Sequence, residues 1–108
     1  MGWHKVMTVG DLASEEARRV SIRGEDIAVF NLEGEFFATQ DRCPHAQASL
    51  SEGIVDDDCI ECPLHQANFH IPTGACQGGP VDVDLRVYPC RIENGEVFVE
   101  LREDARAG

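Results

Sequence analysis

The stretch from residue 43 to residue 65, CPHAQASLSEGIVDDDCIECPLH, decides how the rest of this 108-residue chain is read. It holds two short boxes, Cys43-Pro44-His45 and Cys62-Pro63-Leu64-His65, with sixteen residues between His45 and Cys62. Each box offers one thiolate and one imidazole. Each also stiffens its loop with a proline directly after the cysteine. Short spacers let two side chains of one segment converge on one centre, and two such loops on a common scaffold make a four-ligand site. Two thiolates and two imidazoles suit a tetrahedral zinc. Zinc fingers, however, run Cys-Cys and then His-His, whereas each box here mixes the two. The mixed order suits a binuclear iron–sulfur cluster with both cysteines on one iron and both histidines on the other.

Around the boxes the chain concentrates proline, glycine, four of its five cysteines and three of its four histidines. Such a segment is poorly held by packing alone. The flanks read as short strands. They are Val6–Val9, Arg19–Ile22, Ile27–Leu32, Phe36–Thr39, Val87–Ile92 and Val97–Leu101. Glu33-Gly34 and Asn94-Gly95 are hairpin turns, and Gly24-Glu25-Asp26 is a further turn. The polar stretch Asp11–Glu16 has room for one helical turn. Strands recurring about every ten residues predict an all-β sandwich or barrel. The length predicts a single domain.

Charge excludes other classes. Nine Lys and Arg against twenty Asp and Glu give a formal net charge of -11. Nucleic-acid binding needs a basic footprint, which is missing. An anionic membrane surface would repel the chain, and no apolar run approaches the ~20 residues of a membrane span. Met1-Gly2-Trp3-His4-Lys5 lacks the apolar core of a secretory signal, so the chain reads as cytoplasmic. Five cysteines, an odd number beside histidines, point to metal chemistry rather than a disulfide scaffold. No nucleotide-binding motif or catalytic triad is present.

Residues 36–101 resemble the Rieske ferredoxins of bacterial aromatic-ring dioxygenases of the biphenyl and naphthalene type. The likeness runs through Phe36-Phe37-Ala38-Thr39-Gln40-Asp41-Arg42-Cys43, Ser49-Leu50-Ser51-Glu52-Gly53 and Ile60-Glu61-Cys62-Pro63-Leu64-His65-Gln66. It continues through Phe69, Thr73-Gly74, Pro80 and Tyr88-Pro89 to the last hairpin. The resemblance implies a Rieske fold: one domain over residues 1–108, with a cluster-binding subdomain at roughly 41–82 inserted into a β base domain. It implies one Rieske-type [2Fe-2S] cluster per chain, held by Cys43, His45, Cys62 and His65. The implied protein is a monomer and not an enzyme. It carries single electrons from a flavin-containing, NAD(P)H-dependent reductase to a terminal oxygenase. A Rieske subunit or redox sensor of another enzyme, and a structural zinc module, remain the alternatives.

The resemblance also bears on redox potential. Respiratory Rieske proteins carry an extra disulfide-forming cysteine in each loop, where this chain has Ala48 and Leu64. They carry hydroxyl donors where this chain has Ala67 and Phe69. Their absence points to the low end of the Rieske range. The chain departs from the soluble ferredoxins at Pro44 and Ala46, where threonine and glycine are common, and Pro44 has no N–H to offer a cluster.

The remaining residues have plainer readings. Cys59, Cys76 and Cys90 are packing residues or spare thiols. His70 faces solvent or a polar contact, His4 is an exposed terminal residue, and Asp56-Asp57-Asp58 is a solvated turn. The resemblance implies that Pro80 shields the cluster from water, an ordinary turn being the plainer alternative. Asp41, Glu52 and Glu61, close in sequence to the boxes, are the acids expected to face a docking partner.

Overall fold

Strand β3 (Glu25–Leu32) is the centre of the architecture. Ile27, Ala28, Val29 and Phe30 are all fully buried, which a strand achieves only when both of its faces are covered. In the computed structural model, residues 2–44, 47–64, 67–78 and 83–101 are described. Their strands form three antiparallel sheets.

The central sheet has the order β2-β3-β4-β9, with β2 at Glu16–Ile22, β4 at Glu35–Gln40 and β9 at Val87–Tyr88. A sheet of β1 (Trp3–Thr8), β11 (Glu96–Glu100) and β10 (Cys90–Glu93) packs on one side of it. Ile27 and Val29 of β3 join Met7, Phe36, Val97 and Val99 in that core. The third sheet has the order β5-β6-β7-β8: Ile54–Asp56, Cys59–Glu61, Asn68–His70 and Cys76–Gly78. It shares a second core with Ala28 and Phe30, the alternate residues of β3, through Ile60, Phe69 and Ile71. Burying each large apolar side chain contributes about 1.5–3 kcal/mol, so the all-apolar run 27–30 stabilises both layers at once.

Three hairpins close with two-residue turns whose residues both have positive φ: Arg23-Gly24 (53° and 84°), Glu33-Gly34 (55° and 96°) and Asn94-Gly95 (52° and 76°). This is the type I′ geometry that matches strand twist. The turn expected at Gly24–Asp26 therefore lies one residue earlier, and β3 begins at Glu25. The helical turn expected in Asp11–Glu16 lies at Val9–Asp11 instead, a 3-10 turn in which the Asp11 carboxylate accepts the Thr8 N–H at 3.0 Å. The strand expected over Val87–Ile92 is two strands in different sheets. Pro89 separates them. It has no N–H for a ladder, and its carbonyl accepts the Glu100 N–H at 2.9 Å as the chain crosses between layers.

Gly74 holds the base of the third sheet. Its φ is +78°, and a Cβ there would lie 2.4 Å from the Leu85 carbonyl oxygen. Gly24 has a similar φ of +84° with nothing within 4 Å. Gly24→Ala is expected to cost about 1–2 kcal/mol for the left-handed backbone. Gly74→Ala should cost at least about 1–3 kcal/mol more, because backbone must also move. Urea denaturation of the two variants side by side checks the difference.

Candidate metal centre

Cys43 and Cys62 are each 1% exposed and belong to the same core. Each heads a loop built the same way. In the first, Arg42 pairs with Ser49 in an isolated bridge, and the Cys43 N–H donates to the Ala48 carbonyl at 3.0 Å. In the second, Glu61 pairs with Asn68 at the end of the β6–β7 ladder, and the Cys62 N–H donates to the Ala67 carbonyl at 2.8 Å. Each loop thus has six residues, begins Cys-Pro and ends Gln-Ala: Cys43-Pro44-His45-Ala46-Gln47-Ala48 and Cys62-Pro63-Leu64-His65-Gln66-Ala67. Reading the boxes alone missed this equivalence of length and closure, although the shared Gln-Ala tail was its visible trace. His45 and His65 lie outside the described residues, as do Ala46, Gln66 and Pro80.

The two loops are supported differently. Behind the second, β6 and β7 pair through Cys59 with His70, Ile60 with Phe69 and Glu61 with Asn68. Gly53 lets β5 close on this hairpin, since a Cβ there would lie 2.1 Å from the Glu61 carbonyl oxygen. The first loop runs from β4 into a 3-10 turn, Leu50–Glu52, with Leu50 fully buried in the core. Asp41 was expected to face a partner. It is instead 2% exposed, and its carboxylate accepts the Ser51 N–H at 2.9 Å and the Ser49 hydroxyl. Glu52 is exposed and Glu61 is half-buried.

The other histidines and cysteines are accounted for separately. Both ring nitrogens of His70 are engaged, Nε2 with Asp58 at 3.0 Å and Nδ1 with the Thr73 hydroxyl at 2.8 Å, so of solvent and a polar contact it is the contact that His70 makes. His4 is not the exposed terminal residue expected. It pairs with Val99 in β1–β11, and its Nε2 is buried with no hydrogen-bond partner. Burial, then the neighbouring Asp58, pushes the Cys59 thiol up, and burial pushes Cys90 up to about 11. Arg91, the basic neighbour of Cys90, lies 4.4 Å over the Trp3 ring. Asp57, with φ of 60°, forms the turn between β5 and β6, as the aspartate run suggested.

The Rieske [2Fe-2S] domain family matches residues 2–89. This chain belongs to that family. It is 42% identical to the biphenyl dioxygenase ferredoxin subunit of a Pseudomonas species, over 97% of both chains. It is 45% identical to the biphenyl 2,3-dioxygenase ferredoxin component of Rhodococcus jostii, over 94% of both. Among solved structures it is similar, at TM-score 0.86 and 41% identity over 90% of this chain and 91% of the other, to a chain in the complex of reduced oxygenase and oxidized ferredoxin in carbazole 1,9a-dioxygenase.

The Rieske cofactor is a [2Fe-2S] cluster, and the residues present fit it. Two cysteines excluded from water, at the heads of matching loops in one core, are soft donors suited to iron. The positions expected to lack hydroxyl donors, Ala67 and Phe69, are buried in the same core.

Two predictions follow from these surroundings. Ala67→Ser adds a donor beside Cys62 and should raise the midpoint potential by roughly 20–65 mV, one ordinary hydrogen bond expressed for a one-electron couple. Protein-film voltammetry of variant and wild type measures it. Cys59 and Cys90, whose thiols are pushed above the ordinary range, should alkylate more slowly at neutral pH than an unshifted cysteine. Cys90 should react fully only as the pH nears 11, as peptide mass spectrometry across a pH series would show.

Proposed function

We propose that this chain is an electron-carrier ferredoxin, passing single electrons from an NAD(P)H-dependent flavin reductase to a terminal ring-hydroxylating oxygenase. It is itself no catalyst. Cys43 and Cys62 ligate one iron of the cluster and His45 and His65 the other. Residues 41–82 are the cluster-binding subdomain within a single domain over 1–108. The observation that carries the reading is the pair of equivalent six-residue loops, each headed by a buried cysteine and each containing one histidine. The near full-length likeness to ferredoxin subunits supports a separate carrier over a part of a larger enzyme. A zinc module has no counterpart in that likeness. Among the described residues, no helix is long and apolar enough to cross a membrane. Cytoplasmic residence and a monomeric state belong to the same proposal.

The bound cluster supplies a site that takes up and gives back one electron. The chain's residues hold it and limit its access to water. Ile60, Phe69 and Leu50 share a core with Cys43 and Cys62 and would shield a bound cluster on that side, leaving the loops as the route for electron exchange. Leu64 in the second loop is 61% exposed, and Ile54, paired with Glu61 next to that loop, is 64% exposed. These apolar side chains form a contact for a partner, with Glu52 and Glu61 beside it as steering charges.

The test begins with the ligands. His45→Cys or His65→Cys should abolish the visible and electron paramagnetic signature of mixed nitrogen and sulfur ligation, whereas His70→Ala should leave it unchanged. Survival of that signature in His65→Cys would overturn the ligand set. In stopped-flow reduction by the reductase, the rate should fall as salt shortens the Debye length from about 10 Å at 0.1 M to ~3 Å at 1 M. Glu61→Lys should lower it further at low salt. Rates flat across the series for both proteins would reject steering by these acids.

A further inference from the structure

The two cysteine loops close with the same hydrogen bond, but only one is continuous with a strand ladder. Cys62 and Ala67 extend the β6–β7 pairing, which is flanked by β5 and β8. Cys43 and Ala48 have behind them one isolated bridge, Arg42 with Ser49. Asp41 takes the place of the missing ladder. Its N–H donates to the Asp26 carbonyl at 3.2 Å, and its carbonyl accepts the Leu50 N–H at 2.6 Å. Its carboxylate accepts the Ser51 N–H at 2.9 Å through Oδ1 and the Ser49 hydroxyl through Oδ2, while the Ser49 and Ser51 hydroxyls lie 3.0 Å apart. Ser49 and Ser51 turn to the carboxylate, and Leu50 between them turns into the core with Cys43. The outgoing arm of the loop, at Asp41, is thereby tied to its returning arm at residues 49–51.

We propose that Asp41 is a positioning residue for the cluster: its buried carboxylate, gripping Ser49 and Ser51, fixes the first loop and with it the Cys43 Sγ relative to Cys62. A carboxylate that is 2% exposed and engaged by two donors does not serve the surface. Its bonds cross between the arms of the loop that carries a ligand. The proposal rests on the ligand set given above, so its test must fail separately from that set.

The experiment uses the reconstituted holoprotein. Wild type, Asp41→Ala, Asp41→Asn and Ser49→Ala are compared for the g values and linewidths of the reduced cluster and for the rate of cluster loss to an iron chelator. Asp41→Ala removes both acceptors and should speed cluster loss by roughly tenfold or more, the effect of losing charge-assisted buried bonds. It should also broaden the resonance, since the cysteine ligand is no longer held in one geometry. Asparagine can accept from the Ser51 N–H through its oxygen and donate to the Ser49 oxygen through its amide, so Asp41→Asn should restore linewidth and retention. Ser49→Ala, which removes one bond and keeps Leu50 in place, should lie between and keeps the test informative if Asp41→Ala does not fold. Wild-type linewidth and retention in both Asp41→Ala and Ser49→Ala would overturn the proposal. So would an Asp41→Asn protein as impaired as Asp41→Ala, because geometry would then not be the cause. Failure of the ligand set shows instead in Cys43→Ser, as an unchanged spectrum, whatever Asp41 does.

Discussion

The two-sided burial of β3 is the constraint on which the rest of this molecule depends. A strand has two faces and residues alternate between them, so the run Ile27-Ala28-Val29-Phe30 belongs to two cores at once. Ile27 and Val29 secure the layer of β1, β10 and β11. Ala28 and Phe30 secure the layer that holds both cysteines. A polar substitution at Ala28 or Phe30 would face the layer of the two cysteines, whereas one at Ile27 or Val29 would face away from it. The layer that holds both cysteines therefore stands on the back of the same strand that builds the scaffold core.

The layer that carries the cysteines is thin. β5 to β8 have three residues each. Short strands supply few ladder bonds, so side chains contribute more of the order. Asp41 with Ser49 and Ser51, His70 with Asp58 and Thr73, and the Cys76 N–H on the Asp84 carboxylate at 2.9 Å all tie loop to strand. Gln40 does the same from the central sheet, donating to the Arg42 carbonyl at 2.8 Å and accepting the Arg86 N–H at 2.7 Å. The polar residues of the middle segment are less a solvated surface than a set of internal fastenings.

How much of this was legible in the sequence depended on whether the cause was local. Glu33-Gly34 and Asn94-Gly95 announce their turns because positive φ is a property of the residues that adopt it. The two Cys/His boxes announce a metal for the same reason: ligand chemistry and spacing are both local. The parting of β9 from β10 was missed because Val87–Ile92 is apolar enough for one strand, and only the presence of two different neighbours, β4 and β11, turns Pro89 into a border. Asp41 was misread because an acid next to a ligand box looks like a surface charge. Its burial depends on Ser49 and Ser51, eight and ten residues away. His4 was misread for a similar reason, since the pairing of β1 with β11 joins opposite ends of the chain.

With Asp41 withdrawn into the fold, the surface beside the cysteine loops has a different character from what the net charge of -11 suggests. Ile54 and Leu64 are among the most exposed large apolar side chains described; Leu64 lies in the second loop and Ile54 pairs with Glu61 beside it. Glu52 and Glu61 remain, Glu61 opposite Ile54 and Glu52 two residues before it. The proposed carrier would bind a reductase and an oxygenase in turn and leave each one, so its interface would have to be small and only modestly stable. Apolar contact acts at short range and sets how long the complex lasts. Charge acts at longer range and sets how often encounter succeeds. A few exposed aliphatic groups at the cysteine loops, with acids at their rim, would divide those two tasks between different residues. Substitution of Leu64 would then act on the lifetime of a complex and substitution of Glu61 on its formation, which is the separation that an electron shuttle requires.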